Sequence, residues 1–457
     1  MNKTVVINVV GLTPDLIGEH TPFLNKWLKE GKLASVEAML PAVTCSVQAT
    51  YLTGVLPDEH GIVGNGWYFR EMDEIKFWRQ SNKLVQAPKI WEKAKMKNPD
   101  FTCANLFWWY NMNSAVDYLV TPRPIYRADG VKIPDILTEP PHLRDELQNE
   151  LGQFPLFNFW GPNTNISSSQ WIADSAKKVT KDYDPTLTLI YLPHLDYNLQ
   201  RIGPDDPDIA TDLREIDGVC KGLIEFYEQH GTRVIVLSEY GIETVQKPVS
   251  INRILRKHGY ITVREEIGGE ILIPGSSRAF AVADHQVAHI YIKNPEDIEA
   301  VKNLIDDVDG VDDVLDGEDK KEYHLDHERS GELVAIAEED AWFTYYYWLD
   351  DDKAPDFAPT VDIHTKPGYD PAELLIDPKI SLPKLKAGIR LLQKKLGFRY
   401  TMDLIPIEGS GVKGSHGRIP ADKGKHPLIG TRSKEKIAGN QISPVDVYEV
   451  IYSHIFD

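Results

Sequence analysis

The chain has few cysteines, fewer cations than anions, and no long apolar run. Its 457 residues include three cysteines, Cys45, Cys103 and Cys220, whose odd number and wide spacing suggest neither a disulfide framework nor a zinc knuckle. No segment approaches the ~18–20 consecutive apolar residues that a membrane-spanning helix needs. The apolar run at the start is too short for a signal peptide. Together these absences predict a reduced, cytoplasmic protein.

The charge balance limits the partners that the surface attracts. Lysine and arginine number 50 against 69 acidic residues, which gives a net charge of −19. Such a surface repels nucleic acid and anionic membranes at long range, so we expect neither as a partner. It also repels anionic substrates. A phosphate site would therefore need local positive charge, most simply a metal ion.

The first 60 residues predict a parallel α/β sheet flanked by helices. Residues 5–10 form a short β-branched run typical of a buried parallel strand, and residues 21–31 have the pattern of a helix that ends at glycine. Residues 33–39 predict a second strand, and a helix follows from Thr44. The order strand, helix, strand, helix is typical of the α/β class.

Two later strands place carboxylates at one edge of this sheet. Residues 186–192 and 233–237 are the clearest strands of the chain, and Asp196 and Glu239 follow them closely. Residues 208–230 predict the crossover helix between these strands. Ligands of open α/β sheets bind beyond the carboxyl ends of the strands, so both carboxylates are candidate site residues.

The pattern changes near residue 250. A strand at 288–292, a helix at 295–308 and a strand at 311–315 predict a smaller α+β lobe. We therefore expect a core from residues 1–250 and 409–457, with a cap or lid from residues 251–408. The aromatic runs at 107–110 and 157–160 are expected in the core more than in a pocket.

Thr44 is the candidate nucleophile. It follows a Pro-bounded turn and begins a helix-like run, where unpaired N–H groups and the helix dipole favour negative charge. Such a position would stabilise a phosphorylated threonine, and Asn65 could donate an amide N–H to the phosphoryl oxygen. Threonine at a helix start is also an ordinary N-cap, and Thr44 alone does not separate these readings.

The residues after Thr44 carry a family resemblance. The pattern runs through Thr44, Thr53-Gly54, Pro57, His60-Gly61-Ile62-Val63 and Asn65. It resembles the nucleophile segment of type I phosphodiesterase/nucleotide pyrophosphatase enzymes, which belong to the alkaline phosphatase superfamily. The resemblance implies that Thr44 attacks phosphorus and that Asn65 helps to hold the transition state.

The same resemblance implies two zinc ions held by Asp and His at four positions, which this chain fills unusually. The first position is an aspartate next to glycine in the family and is Val10 here, whereas Asn8 stands where some relatives have the aspartate instead. The second position keeps Asp196 but has Gln200 in place of histidine. The third position reads Ser-Glu-Tyr-Gly, with Glu239 and Tyr240 in place of Asp and His. The fourth position, Gly-Ser-His-Gly, keeps its histidine as His416.

These replacements predict a metal site rich in oxygen donors. Zinc prefers nitrogen and sulfur, whereas Mg²⁺ and Mn²⁺ accept oxygen. We therefore expect Asp196, Glu239, His416, Asn8 and Gln200 to bind a divalent metal, with Mn²⁺ or Mg²⁺ favoured and Zn²⁺ as the alternative. The number of ions is one or two, or the site holds none.

Two further groups are candidate substrate-binding residues. His285 and His289 open an apparent strand, in which residues four apart share a face. Asp362 and His364 would likewise share a face, and Lys366 precedes a Pro-Gly turn that could fix its direction. We expect Asp362, His364 and Lys366 to face the reaction centre from the lid, with His285 as a further contact.

Three functions are compatible with these residues. The first is metal-dependent hydrolysis of a phosphodiester, pyrophosphate or monoester of a small phosphorylated metabolite through a phosphothreonine intermediate. The second is a catalytically degenerate relative that binds a phosphorylated ligand or partner. The third is a phosphomutase or phosphonate hydrolase of the same superfamily. The sequence leaves the oligomeric state open.

Overall fold

A mixed nine-stranded sheet forms the centre of the molecule. The computed structural model describes residues 1–128, 131–398 and 400–457. In order across the sheet, the strands are Gln441–Ile442, Lys32–Val36, Leu428–Thr431, Arg233–Leu237, Thr4–Val9, Leu187–Leu192, Cys103–Leu106, Tyr118–Pro122 and Ile136–Glu139. The expected α/β fold with a parallel sheet is confirmed at its centre, where the five strands from Arg233–Leu237 to Tyr118–Pro122 are mutually parallel.

The central strand is Thr4–Val9, which lies between the two strands that carry the acidic residues. Asn8 is in register with Tyr191 on one side and with Leu237 on the other. Every residue of Thr4–Val9 and Leu187–Leu192 is buried, as expected for parallel strands covered on both faces. This arrangement brings Asn8, Asp196 and Glu239 to the same edge of the sheet.

The sheet departs from the parallel pattern towards its margins. Leu428–Thr431 runs antiparallel between Lys32–Val36 and Arg233–Leu237. Ile136–Glu139 is the antiparallel strand at the opposite margin. The strand expected over residues 33–39 ends at Val36, because the chain bends there towards the turn that precedes Thr44.

Helices cover both faces of the sheet and part of the second lobe. The α-helices are Pro22–Glu30, Thr44–Thr53, Pro57–His60, Ile90–Lys97, Leu143–Leu151, Leu156–Phe159, Ser167–Tyr183, His194–Arg201, Ile209–Gln229, Ile251–Lys257, Ile298–Asp306, Asp319–Glu322, Pro383–Lys395 and Asp446–Phe456. Within the described ranges, no helix is both long and apolar enough to cross a bilayer.

A second apolar core lies beside the first. A four-stranded antiparallel sheet has the order Ala279–Asp284, Val287–Ile292, Leu333–Ala337 and Val311–Leu315. Its apolar residues form a cluster that runs from Val249 to Phe343, whereas the main cluster combines residues 5–242 with residues 428–455. The division into a core and a cap at residues 250 and 409 stays a prediction.

Five two-stranded ribbons complete the β-structure. They pair Gly66–Phe69 with Glu74–Phe77, Ile125–Tyr126 with Lys132–Ile133, Glu243–Thr244 with Gly414–Ser415, Lys247–Val249 with Ala341–Phe343, and Val263–Glu266 with Gly269–Leu272. The third ribbon matters for the site, because it places His416 directly after a strand that is paired with the main lobe.

Candidate active site

Thr44 is the first residue of the helix Thr44–Thr53. The preceding Val43 is extended, and the backbone N–H of Ala42 donates to the carbonyl of Gly417, which fixes the entry to the helix. The Thr44 side chain is buried and lies on the wall of a large cavity. Thr44 therefore lies at the positive end of the helix dipole, a position that favours an anion, although the N–H of the next residue, Cys45, is already hydrogen-bonded.

The Thr44 hydroxyl is oriented by Tyr240. The two hydroxyl oxygens are 3.1 Å apart, and Tyr240 donates to Asp196 Oδ1 over 3.1 Å. A phenol has one proton, so while Tyr240 donates to Asp196 the Thr44 hydroxyl can donate to Tyr240. Glu239 and Tyr191 are further hydrogen-bond partners of the Thr44 hydroxyl.

Asn65 is fixed on two sides. Its Oδ1 accepts from the backbone N–H of Cys45 over 3.0 Å, in the first turn of the Thr44 helix. Its backbone N–H and its Nδ2 donate to Asp284 over 2.7 and 3.1 Å. One of the two Nδ2 hydrogens of Asn65 is thus hydrogen-bonded to Asp284. Only the other Nδ2 hydrogen could donate to a phosphoryl oxygen, and that role stays a prediction.

Asp284 also belongs to this group of residues, although the sequence patterns predicted no role for it. Burial raises the pKa of its carboxyl to about 7, although both hydrogen bonds from Asn65 act to lower it. The residue precedes His285 in a stretch already noted for its histidines. No local sequence pattern indicates that this carboxylate contacts Asn65, because the two residues lie 219 positions apart.

Asp196 lies on the helix that starts just after the strand Leu187–Leu192. Besides the Tyr240 hydroxyl, it accepts from Gln200 Nε2 over 2.7 Å, one helical turn away. Gln200 Oε1 in turn accepts from the Tyr369 hydroxyl over 3.0 Å. Burial raises the pKa of Asp196 to about 7, and the Tyr240 and Gln200 hydrogen bonds oppose that rise.

Glu239 follows the neighbouring strand and accepts hydrogen bonds from two side-chain amides. Its Oε1 accepts from Asn8 Nδ2 and from Gln48 Nε2, both at 2.5 Å. Burial raises the pKa of Glu239 to about 8, although these amides act to lower it. Asn8 Oδ1 and Glu239 Oε2 are buried and have no hydrogen-bond partner among the described residues.

His416 approaches from the C-terminal segment. Its Nδ1 donates to the Ala42 carbonyl over 2.7 Å, and its ring stacks on Tyr240 with 3.6 Å between centroids. Burial lowers the pKa of His416 to about 3, so the ring is neutral and Nε2 carries a lone pair. Nε2 has no hydrogen-bond partner in the described structure and lies 3.9 Å from Asp196 Oδ1.

Some of these side chains have the properties that a divalent cation requires of its ligands. His416 has the features of a metal ligand, namely a neutral ring, an unshared nitrogen and a carbonyl that fixes its tautomer. With Asp196 beside it, His416 fits one cation, and the Gln200 amide oxygen is a possible third donor if the amide is turned. At the second position, Glu239 Oε1 accepts from two side-chain amides, but Asn8 Oδ1 and Glu239 Oε2 have no hydrogen-bond partner among the described residues and are oxygen donors that a cation could use.

A second group of possible ligand atoms lies outside the cavity. His194 Nε2 is 3.1 Å from Glu215 Oε2 and 3.3 Å from Asp212 Oδ1. Among the described residues, this is the one set of three His, Cys, Asp or Glu side chains with ligand atoms within 4.8 Å of one another. It joins the helix of Asp196 to the helix Ile209–Gln229.

The cavity has a volume of about 1770 Å³. It is lined by Thr44, Asp196, Tyr240, His285 and His416, whereas Asn8, Gln200, Glu239 and Asn65 lie buried behind this surface. Part of its wall is aromatic, formed by Trp78, Trp109, Tyr126, Phe157, Phe159, Trp160 and Tyr369. The expectation that run 157–160 belongs to the core was therefore wrong for most of its residues, because the short helix Leu156–Phe159 and the following Trp160 lie at the cavity wall. Phe107 and Trp108 do belong to the main core.

Of the four predicted substrate-binding residues, three line the cavity. Asp362, His364 and His285 contribute to its wall, but the first two lie in a series of turns and not on the expected strand. His285 also lies in a turn, with a φ of +61°, so it does not share a strand face with His289. His289 is buried and hydrogen-bonded to the Val63 carbonyl over 2.9 Å.

Lys366 was expected to face the reaction centre, and that prediction was wrong. Its ammonium is fully buried behind the cavity wall, 2.7 Å from Asp370 and 2.9 Å from Glu373. Burial alone would lower the pKa of Lys366, but the two carboxylates raise it above its usual value. Glu373 also accepts from the Trp160 indole N–H over 2.5 Å, so Lys366 supports the aromatic wall.

Sequence comparison identifies the family. The profile of the type I phosphodiesterase/nucleotide pyrophosphatase family matches residues 4–370. The chain belongs to this family. The resemblance seen around Thr44 is thus confirmed for most of the chain, and proteins of this family generally depend on divalent metals.

Two curated family relatives match part of the chain. An uncharacterized pyrophosphatase/phosphodiesterase of Schizosaccharomyces pombe is 25% identical over 259 residues, which is 54% of this chain and 43% of the relative. Ectonucleotide pyrophosphatase/phosphodiesterase 1 of Saccharomyces cerevisiae is 23% identical over 273 residues, or 54% of this chain and 35% of the relative. The aligned region therefore spans less than half the length of these relatives.

Solved structures share the fold over almost the whole chain. Murine ectonucleotide pyrophosphatase/phosphodiesterase 5 has a TM-score of 0.60 at 15% identity, covering 99% of this chain and 95% of that chain. Phosphonoacetate hydrolase from Sinorhizobium meliloti, in complex with phosphonoacetate, has a TM-score of 0.64 at 13% identity, with 99% and 96% coverage. At these identities the likeness establishes the fold alone.

Proposed function

We propose that the protein is a metal-dependent hydrolase of phosphoric esters in which Thr44 accepts the phosphoryl group. The observation that carries this proposal is the position of the Thr44 hydroxyl, which lies at a helix start, lines the cavity and is hydrogen-bonded to the Tyr240 hydroxyl over 3.1 Å. A bond forms between Thr44 Oγ1 and phosphorus as the bond to the leaving oxygen breaks, and the proton that Thr44 loses balances the one that the leaving oxygen takes up to depart as an alcohol. Water then takes the phosphoryl group from Thr44.

The residues around Thr44 have defined parts in this reaction. Tyr240 holds the Thr44 proton away from the incoming phosphorus, and the first helical turn offers N–H groups to the phosphoryl oxygens. Asp196 and His416 would hold a divalent cation, with Gln200 as a possible third ligand. When bound, that cation supplies positive charge to the phosphoryl oxygens. The oxygen-rich donor set favours Mn²⁺ or Mg²⁺ over Zn²⁺.

The chemistry of the cavity supports a small phosphorylated metabolite as substrate. Among the described residues, four cations line it, Lys132, Lys384, Arg390 and Lys394, and they offset locally the acidic charge of the chain. The aromatic side chains of the wall offer flat apolar surface for the remainder of an ester. His364 adds a polar group to the same wall.

A conservative pair of variants tests the nucleophile. Thr44→Ala should abolish turnover of a nitrophenyl phosphodiester in the presence of Mn²⁺, whereas Thr44→Ser should retain part of it, because serine keeps the hydroxyl. Asn65→Ala should slow the reaction by about 10²- to 10³-fold if its free N–H binds the transition state. Wild-type turnover by Thr44→Ala, with the fold verified by circular dichroism, would contradict the proposal.

One observation favours a second function, the binding of a phosphorylated ligand without hydrolysis. Asn8 and Gln48 donate to the carboxylate that a second cation would otherwise need, so hydrogen bonds replace part of the metal site. Calorimetry with a nucleotide or sugar phosphate separates the two functions. Tight binding that survives Thr44→Ala, together with no turnover by the wild type under any divalent metal, would establish the binding function.

A further inference from the structure

The helix Pro383–Lys395 exposes a stripe of large apolar residues. No residue of this helix is buried. Leu382, Leu385, Ile389, Leu392 and Leu396 follow one another at intervals of three or four residues, and each is between 49% and 63% exposed. Residues at these intervals share one side of a helix, and in a globular protein that side normally faces the core. Here it faces solvent. The apolar stripe, as we call these five residues, therefore lacks a cover within the described structure.

The other side of the helix lines the cavity described above. Lys384, Ala387, Leu391 and Lys394 belong to the cavity wall. Their positions in the sequence place them on the side of the helix away from the apolar stripe. The helix therefore lies across the cavity with its apolar stripe directed outwards.

The margin of the cavity is apolar as well. Phe398 is 65% exposed, Tyr126 is 57% exposed and Phe157 is 55% exposed, although all three line the cavity. These rings extend the exposed apolar surface from the helix to the other side of the cavity. A patch of this kind beside an opening marks an interaction surface.

The charge of the helix identifies the kind of partner. Residues 383–395 contain five lysines and arginines and no acidic residue, in a chain with a net charge of −19. Lys386 and Arg390 are held by Asp403. None of the described carboxylates forms an ion pair with Lys384, Lys394 or Lys395. The partner that suits this helix therefore has an anionic surface and an apolar interior.

We propose that the helix Pro383–Lys395 docks the cavity mouth onto an anionic lipid surface. A basic helix with one apolar side lies in the interface of a membrane, with its apolar side among the acyl chains and its lysines at the headgroups. Lys395 flanks the apolar stripe, and its long side chain can extend to the headgroups. A second copy of the chain suits the stripe less well, because it would bring two helices with five positive charges each into contact.

This inference replaces the expectation of no membrane partner, which rested on the net charge of the whole chain. The acidic residues lie elsewhere in the chain, whereas residues 383–395 carry cations alone. Attraction to an anionic surface falls off within about one Debye length, so the charge nearest to the surface decides the outcome. The docking helix is independent of the chemistry proposed for Thr44.

Vesicle flotation with the full chain tests the proposal without an activity measurement. The protein should float with vesicles of phosphatidylcholine mixed with phosphatidylglycerol, and much less with phosphatidylcholine alone. Raised salt should weaken the binding. No flotation with the mixed vesicles, or equal flotation with both, would overturn the proposal.

Matched variants locate the contact. Leu385→Gln combined with Leu392→Gln should lower the partition into the mixed vesicles at least about tenfold, because two leucines no longer enter the lipid. Ile267→Gln is the control, since Ile267 is a fully exposed isoleucine far from the helix in sequence. Lys395→Glu should lower the partition about fivefold or more, through the loss of one cation near the headgroups and the gain of an anion.

The same variants distinguish a second copy from a membrane. Sedimentation equilibrium of the wild type should show a monomer at the concentrations used for flotation. A dimer that the Leu385/Leu392 double variant converts to a monomer, together with vesicle binding that the double variant retains, would assign the apolar stripe to self-association and refute the docking proposal.

Discussion

The Tyr240 hydroxyl lies 3.1 Å from Thr44 Oγ1 and 3.1 Å from Asp196 Oδ1, and so it connects the candidate nucleophile to a candidate metal ligand. The family pattern has histidine at this position, where this chain has tyrosine. A phenol cannot serve as a nitrogen ligand, but it can hold the threonine hydroxyl in one orientation. This single residue therefore contacts both the candidate nucleophile and a candidate metal ligand.

Removal of the bridging hydroxyl should slow turnover without unfolding the protein. Tyr240→Phe deletes the hydrogen bonds to Thr44 and Asp196 and leaves the aromatic stack on His416 intact. We expect kcat to fall about tenfold, the equivalent of one lost hydrogen bond. Tyr197→Phe, which removes another buried hydroxyl of the cavity wall, is the control. Equal rates for both variants would show that Tyr240 does not orient Thr44.

Restoration of the family ligands should create a zinc site. The triple variant Asn8→Asp, Glu239→Asp and Tyr240→His supplies two carboxylates of the usual length and a nitrogen donor, the set that zinc prefers. Elemental analysis of protein purified without added metal should show more bound zinc in this variant than in the wild type. Tyr240→His alone is the control, because it lacks the carboxylates. Two tightly bound zinc ions in the wild type would refute the expected preference for harder metals.

The buried carboxyl of Asp284 should make stability depend on pH. Its folded-state pKa of about 7 lies above the ordinary value of an aspartate, so the folded protein holds the proton more tightly than the unfolded chain. The contribution of this protonated carboxyl to the free energy of unfolding is fully present below about pH 4 and is lost as the pH rises through 7. The free energy of unfolding of the wild type, measured against Asp284→Asn, should therefore fall between pH 5 and about 7, by up to about 1.4 kcal/mol per pH unit.

Urea unfolding at several pH values checks this difference. Asp316→Asn is the control, because a hydrogen bond from Lys302 lowers the pKa of Asp316. A lowered pKa makes its contribution vary only at more acidic pH, so this variant should follow the wild type between pH 5 and 8. A pH-independent difference between the wild type and Asp284→Asn would refute the account of this carboxyl.

Lys366 should prove essential to stability. Lys366→Met leaves Asp370 and Glu373 buried without their cation, which should lower the free energy of unfolding by about 3–5 kcal/mol. Lys302→Met breaks an exposed ion pair with Asp316 and should change it by less than about 1 kcal/mol. Urea unfolding of both variants gives the comparison. A raised Michaelis constant with unchanged stability would instead favour the substrate-binding role expected from the sequence.

The sequence was informative where local patterns decide the structure. The apolar strands and the glycine that ends the helix of Thr44 are local features, so the positions of Thr44, Asp196 and Glu239 followed from them. The contacts of Tyr240 with Thr44 and of Asp284 with Asn65 span 196 and 219 residues. No local pattern encodes such pairs. Lys366 was misjudged because a lysine beside a turn has the same sequence whether it binds substrate or a buried carboxylate.

The position of the strand Leu428–Thr431 has a consequence for synthesis on the ribosome. This late strand fills the space between Lys32–Val36 and Arg233–Leu237, and the same segment delivers His416 to Ala42. Until it emerges, two strand edges stay unpaired and invite association with other chains. The sheet of the nascent protein is therefore open at this place until residues 428–431 are synthesised, and a chain terminated before His416 lacks both this strand and a candidate metal ligand.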